Sequence, residues 1–395
     1  MNRYARDRRE NAPKPVKRIE LSEAGTTKRL IAFCIVFAIG VVALVLALNG
    51  LLAAPSGWVE IEYSGVDISC AEDFSFTYCL GNSENGPTAE RKALSKIYSQ
   101  LVEEAYRTFT VYDDFDGTAN MKYVNDHPNE DVQVSSTLYS AMQTVCREGR
   151  YLYLAPVYSE YYTMFNGGEE LDPMALPEVQ EYFSELLPLV NSDSHVHLDF
   201  LGNDCVRLNV SEEYLTLARD YGVTVFIDFG WMKNAFICDM IADGILANGY
   251  PYGTLLSYDG FARSMDSETD YTCTLYQRLN GGVVNVCQCG FSGARAAALL
   301  TAFRYDPRQW MFAGERTGYI DTDGLCKSSV DALLCTSDCE NCGALALAAA
   351  KSFISDGFVP PEVSAVWCEG MRIGTNDPET DISQLYSGFE LCSTY

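Results

Sequence analysis

The chain has 395 residues, 48% of them hydrophobic, enough to bury a substantial core. Its 28 Lys and Arg against 54 Asp and Glu leave a formal charge of −26, which argues against nucleic acid as a partner, because phosphates need clustered cations. Charged residues at 21% and aromatics at 12% exclude wholesale disorder.

Residues 1–29 form a basic tail carrying Arg3, Arg6, Arg8, Arg9, Lys14, Lys17, Arg18, Lys28 and Arg29. From Leu30 to Ala54 there are 25 residues without a charge. At a rise of about 1.5 Å per residue, this run spans a hydrocarbon core of roughly 30 Å. A cleaved signal peptide has a shorter apolar stretch, about 7–15 residues, and Cys34 sits too early for a lipoprotein signal. The pattern predicts an uncleaved signal anchor at 30–54, with the tail cytoplasmic and residues 55–395 outside the cell membrane. Beyond the anchor remain 19 basic and 50 acidic residues. That surface favours divalent cations or cationic partners, or serves solubility alone. Fourteen of the 15 cysteines also lie there, where disulfides are compatible with an oxidising compartment and their pairing stays open.

No proline-rich linker, low-complexity tract or repeat interrupts residues 60–395, so the expectation is one domain of α+β (mixed α/β) class. Val59–Tyr63 and Phe74–Leu80 alternate as strands do. Thr88–Thr108 reads as a helix with Leu94, Ile97, Leu101 and Ala105 on one face. Further helices are expected at Ser135–Arg147 and Leu176–Leu187. His195–Asp199 and Cys205–Asn209 flank Gly202-Asn203 as a hairpin would. A buried strand at Val223–Phe229, a helix at Asn234–Asn248 and a strand at Gly253–Tyr258 follow. An alanine-rich helix closes the series at Gly343–Ser355.

Three constellations invite chemistry. His195, His197 and Asp199 share a strand face and resemble part of the hydrolase metal motif H-x-H-x-D-H. The sixth position, however, is Phe200, and the remaining histidine is His127, so a solvated hairpin strand is the reading adopted. Cys335, Cys339 and Cys342 have the C-x3-C-x2-C spacing of a radical SAM iron–sulfur site. Such enzymes work in reducing cytoplasm, and loop cysteines suit an external segment better. Tyr151, Tyr153, Tyr158, Tyr161 and Tyr162 would either line a ligand groove by stacking or pack a half-buried strand.

The stretch Val225–Asp239, VFIDFGWMKNAFICD, resembles the strand-to-helix motif of the FAD:protein FMN transferases, the ApbE-type flavin transferases, approximately I-D-L-G-G-I-A-K-G-Y-A-V-D. Gly249-Tyr250 and the apolar strand after it fall in the family's order. Thr108–Asn125 is similar to an early loop closing on an asparagine, and Arg316-Thr317-Gly318-Tyr319 to the end of H-I-I-D-P-x-T-G-Y-P. The alanine-rich helix stands where the family has A-D-A-L-S-T-A-L. The resemblance runs over about residues 65–395 and implies an ApbE-like domain at 55–395. It implies extracytoplasmic work with FAD and magnesium, attaching FMN to a Thr or Ser of a partner protein. Cofactor contacts would then come from Asn125, Asp228, Gly230, Asp239, Gly260, Thr317 and Gly318.

The departures are as specific as the matches. The family lysine aligns with Asn234, and Lys233 lies one residue away, a turn of about 100° along a helix. Asp259-Gly260 replaces paired glycines. Met311 and Gly314 replace a His and an Asp. Gly343 and Leu347 replace the metal-binding Asp and Thr, leaving no side-chain oxygen for a hard cation at either place. Asp331 and Asp338 lie in the preceding segment as alternative carboxylates. Ser292-Gly293-Ala294 is similar to the start of an acceptor motif, but Arg295 stands at the accepting hydroxyl. The leading expectation is therefore a transfer-deficient relative acting as a binding or scaffolding module, with an extracytoplasmic protein partner. One alternative is an active FMN transferase with Asp228, Asp239 and Lys233 at the nucleotide. The other is a structural protein of the cell envelope.

Overall fold

The computed structural model describes residues 31, 33–44, 56–83, 86–167, 169–266, 270–280, 282–302, 318–339 and 341–392. It divides into two compact units, Met1–Ala54 and Pro55–Tyr395. In the first, residues 33–44 are helical, and the rest of the 30–54 run lies almost wholly outside the described residues. No helix among the described residues is long and apolar enough to cross a membrane.

The second unit is built on a nine-stranded sheet. Along one edge lie β1 (Gly57–Glu60), β2 (Phe74–Leu80), β6 (Gly253–Ser257), β7 (Phe261–Ser264) and β10 (Ala296–Thr301), in that spatial order. They continue into β11 (Ala332–Ser337), β12 (Ser364–Glu369), β13 (Arg372–Thr375) and β15 (Glu390–Leu391). Every pairing is antiparallel except β13 with β15. In β2 the alternation is strict, with Phe74, Phe76, Tyr78 and Leu80 buried between half-buried neighbours, as a period of two demands.

Helices cover one face of this sheet. The long α1 (Pro87–Phe109) buries Leu94, Tyr98, Val102, Ala105 and Phe109. It packs on α7 (Lys233–Ala247), where Gly244 lets Leu101 approach so closely that a Cβ would lie 2.4 Å from Leu101 Cδ2. Helix α8 (Cys342–Ile354) lies beside α7 and against β10 and β11. On the sheet's other face sits a second sheet of β14 (Asp381–Gln384), β9 (Gly282–Phe291) and β8 (Tyr271–Leu279). Leu275, Val286, Cys287 and Cys289 from it meet Ala297, Leu334, Val366 and Cys368. A third sheet joins β3 (Asp131–Gln133), β5 (Cys205–Val210) and β4 (Val196–Gly202). Its hairpin turns on Asn203 and Asp204, whose φ values of 49° and 59° give the twist that two-residue hairpins need.

Helices α2 (Met121–Asp126), α3 (Ser136–Glu148), α4 (Ala155–Gly167), α5 (Pro177–Val190) and α6 (Glu212–Tyr221) complete the unit. Ser135 caps α3 by accepting the Leu138 amide.

Three expectations are corrected. The strand expected at Val59–Tyr63 runs instead over Gly57–Glu60. Val223–Phe229 is not a strand and joins no sheet. The Phe226 and Ile227 amides go to Asn125 Oδ1, at 2.7 and 3.0 Å, and the Asp228 amide goes to Leu152 O. A side-chain amide has taken the place of a neighbouring strand. The tyrosine cluster is helical, running through a 3-10 turn at Tyr151–Leu154 into α4, so strand packing does not account for it.

Candidate functional site

The Asp259-Gly260 turn between β6 and β7, the start of α7 and the exposed side of α4 enclose a cavity of about 620 Å³. Aromatic side chains dominate its wall: Tyr112, Tyr158, Tyr162, Trp231, Tyr258, Tyr276 and Tyr319. Tyr158 and Tyr162 are near-parallel, with centroids 6.2 Å apart, and Trp231 meets Tyr319 edge-on at 5.4 Å. Surfaces of this kind take planar rings by stacking, and the volume suits a ligand of nucleotide size.

Charged groups enter from three directions. Asp228 lies near the end of the segment 223–229 and accepts its neighbour's amide, Phe229 N, at 2.8 Å. Burial holds its carboxyl above the ordinary range against the pull of Lys233 and the local amides. Lys233, at the first turn of α7, lines the same wall. Burial works against its charge, yet Asp228, then Tyr112 and Asp73, keep its ammonium above the usual lysine value. Both Lys233 and Asn234 therefore reach the cleft, although they differ by one helical step. Asn234 Nδ2 donates to Asp259 Oδ2 at 3.1 Å, and Ser257 Oγ to Asp259 Oδ1 at 2.5 Å. Asn234 Oδ1 is buried without a hydrogen-bond partner.

Glycines give the wall its shape. At Gly260 φ is +104°, and a Cβ would lie 2.3 Å from Leu299 O, so no side chain is admissible. At Gly318 a Cβ would stand 3.4 Å from Tyr158, an ordinary contact, so space alone does not demand glycine there.

Of the residues expected to contact a cofactor, Asp228, Gly230, Gly260 and Gly318 line the cleft. Thr317 lies outside the described residues. Asn125 and Asp239 are not in the lining. Asn125 is 3% exposed and wholly engaged: Nδ2 donates to Met121 O and Ile227 O, both at 2.9 Å, while Oδ1 accepts two amides. It shapes the segment that carries Asp228 rather than touching a ligand. Asp239 accepts the Cys342 and Gly343 amides, each at 2.8 Å, and Arg263 Nε at 3.2 Å. Sequence reading passed over Trp231, Tyr112, Tyr258, Tyr276 and Asp73. Trp231 directly follows Gly230 in the strand-to-helix motif and was the one with a signal. Asp73 comes from a distant part of the chain and had none.

The residues present do not fit the magnesium that the resemblance implies. Beside Gly343 the Phe236 ring occupies the side-chain space, since a Cβ would fall 2.5 Å from Phe236 Cε1. Leu347 is fully buried. Asp331 is held elsewhere, accepting from Gln277 Nε2 and the Gly370 amide, both at 2.7 Å. Among the described residues no three His, Cys, Asp or Glu side chains gather as a metal set. His195 and His197 make separate local hydrogen bonds, to Ser211 Oγ and Asp193 O. Cys335 is buried in β11, Cys339 is exposed, and Cys342 begins α8 with its thiol towards Ala297 O.

No protein-family model and none of the curated proteins matches the chain. Solved structures do. The flavin transferase ApbE from Vibrio cholerae matches 85% of this chain and 99% of its own, at 12% identity and a TM-score of 0.52. The ApbE protein from Thermotoga maritima matches 83% of this chain and 96% of its own, at 14% identity and a TM-score of 0.51. The fold is that of the ApbE flavin transferases. At this identity the likeness speaks for architecture, and the chemistry has to be argued from the site.

Proposed function

We propose that the chain is a divergent relative of the ApbE flavin transferases that has given up transfer and serves as a ligand-binding module. The cleft accepts a planar aromatic ligand of the flavin class, and the bound form is presented to an extracytoplasmic protein partner. Residues 30–54 tether the domain to the cell membrane, with the N-terminal tail in the cytoplasm. One observation carries this reading: an aromatic cleft of about 620 Å³ persists beside a corner filled by Phe236 and Leu347 where metal ligands would be needed.

The test is calorimetric titration of the full chain in detergent with FAD, with and without magnesium, followed by an assay for released AMP. Binding without AMP is the expected result. Magnesium-dependent AMP release would establish the active transferase instead, with Asp228 and Lys233 as the first residues to substitute. Absence of flavin binding in both conditions would leave only a structural role for the fold.

A further inference from the structure

Behind the cleft the chain buries a cation of its own. Arg263 of β7 is fully buried and turns towards the helical layer. Its Nε lies 3.2 Å from Asp239 Oδ1, its Nη2 lies 3.3 Å from Asp243 Oδ1, and its Nη1 donates to Ser264 O at 3.0 Å. The two oxygens of Asp239 thus accept three donors, a guanidinium and the first two amides of α8. A carboxylate placed at a helix start and shared with an arginine has its charge met from both sides. Gly343, one of the two positions assigned to the metal by resemblance, supplies one of those amides, and Leu347 lies one turn further along the same helix.

Burying an ion pair is costly unless hydrogen bonds complete it, and removing one partner leaves the other stranded. We propose that Arg263, acting through Asp239, is the resident counter-charge of this corner. It is a positioning residue that fixes the start of α8 without a divalent ion, and the cleft consequently takes its ligand independently of metal. The second half of this inference rests on the ligand-binding reading above, whereas the first half concerns the protein alone.

Three measurements on the full chain in detergent decide it. In a Mn²⁺ titration followed by electron paramagnetic resonance, no saturable one-per-chain site tighter than about 100 μM is expected, and such a site would overturn the proposal. Thermal unfolding should be the same in magnesium and in EDTA. Arg263→Lys should keep more of the wild-type melting temperature than Arg263→Met. Equal stability of Arg263→Met and wild type would overturn the positioning role, and the Mn²⁺ titration still decides if that variant does not fold. Finally, FAD affinity should be unchanged by EDTA, and an affinity about tenfold higher with magnesium would overturn metal independence. Absence of FAD binding in both conditions would refute the flavin reading of the cleft, while the Mn²⁺ and Arg263 results would still stand or fall by themselves.

Discussion

Replacing Gly343 with alanine tests directly whether the corner beside α8 is closed. The new Cβ would stand 2.5, 2.6 and 2.8 Å from Cε1, Cδ1 and Cζ of Phe236. That ring is 6% exposed and leans on Phe229 at a centroid distance of 5.1 Å, so its retreat disturbs a second buried ring. Overpacking of this kind costs about 1–3 kcal/mol, and replacing a helical glycine returns about 0.5–1 kcal/mol. A net loss of about 1–2 kcal/mol is expected. Phe236→Leu alone should cost on the order of 1 kcal/mol or more in lost packing. The double variant should be better than the sum of the two, by roughly 1 kcal/mol, because the smaller side chain vacates the space that the alanine needs. Urea unfolding of the four proteins, followed by far-ultraviolet circular dichroism, gives the full cycle. A Gly343→Ala protein as stable as wild type, together with strict additivity, would refute the claim that Phe236 fills this position.

Four further outcomes are expected. Asn125→Leu removes the acceptor for the Phe226 and Ile227 amides and the donor to Ile227 O, so a loss of about 3 kcal/mol or more should appear in chemical denaturation, with ligand affinity falling as Asp228 loses its place. Gly260→Ala combines a φ of +104° with a 2.3 Å approach to Leu299 O. It should lower the melting temperature by several degrees, and unchanged melting would contradict the geometry. Burial pushes the Asp239 carboxyl up from 3.8 to about 6, outweighing the two amides and Arg263. A carboxyl raised on folding contributes stability below its unfolded value and loses it as pH rises through the folded one. Relative to Asp239→Asn, wild type should therefore lose about 3 kcal/mol between roughly pH 4 and 7, read from unfolding free energies across that range. Trp231→Leu should weaken binding of a flavin-class ligand without moving the unfolding midpoint by more than a few degrees, as measured by calorimetry beside thermal unfolding.

Local physics made much of the fold readable. The alternation of Phe74–Leu80 and the capped starts at Ser135 and Asn341 act within a few residues, so the matching elements lie where the pattern puts them. Val223–Phe229 has the composition of a central strand, but its backbone is satisfied by Asn125, about a hundred residues upstream, and no local window contains that substitution. The same limit governs the site. Asp228, Gly230, Gly260 and Gly318 could be picked out because each belongs to a short motif, and Tyr158 and Tyr162 because they fall in one tyrosine cluster, while Tyr112, Tyr258 and Tyr276 come from separate segments and join them only on folding.

Arg263 shows why the decisive residue was the least legible. In the sequence it is a single arginine in a four-residue segment, Phe261–Ser264, that no apolar periodicity marks. Folding instead turns it inward against Asp239 and Asp243 on α7, and Asp239 in turn holds the first two amides of α8. That Gly343 and Leu347 offer no side-chain oxygen could be read along one helix, but what surrounds them could not, because Phe236 and Arg263 arrive from other elements. The three-dimensional neighbours say what occupies the space, and here a buried ring stands beside Gly343 while a paired arginine holds Asp239.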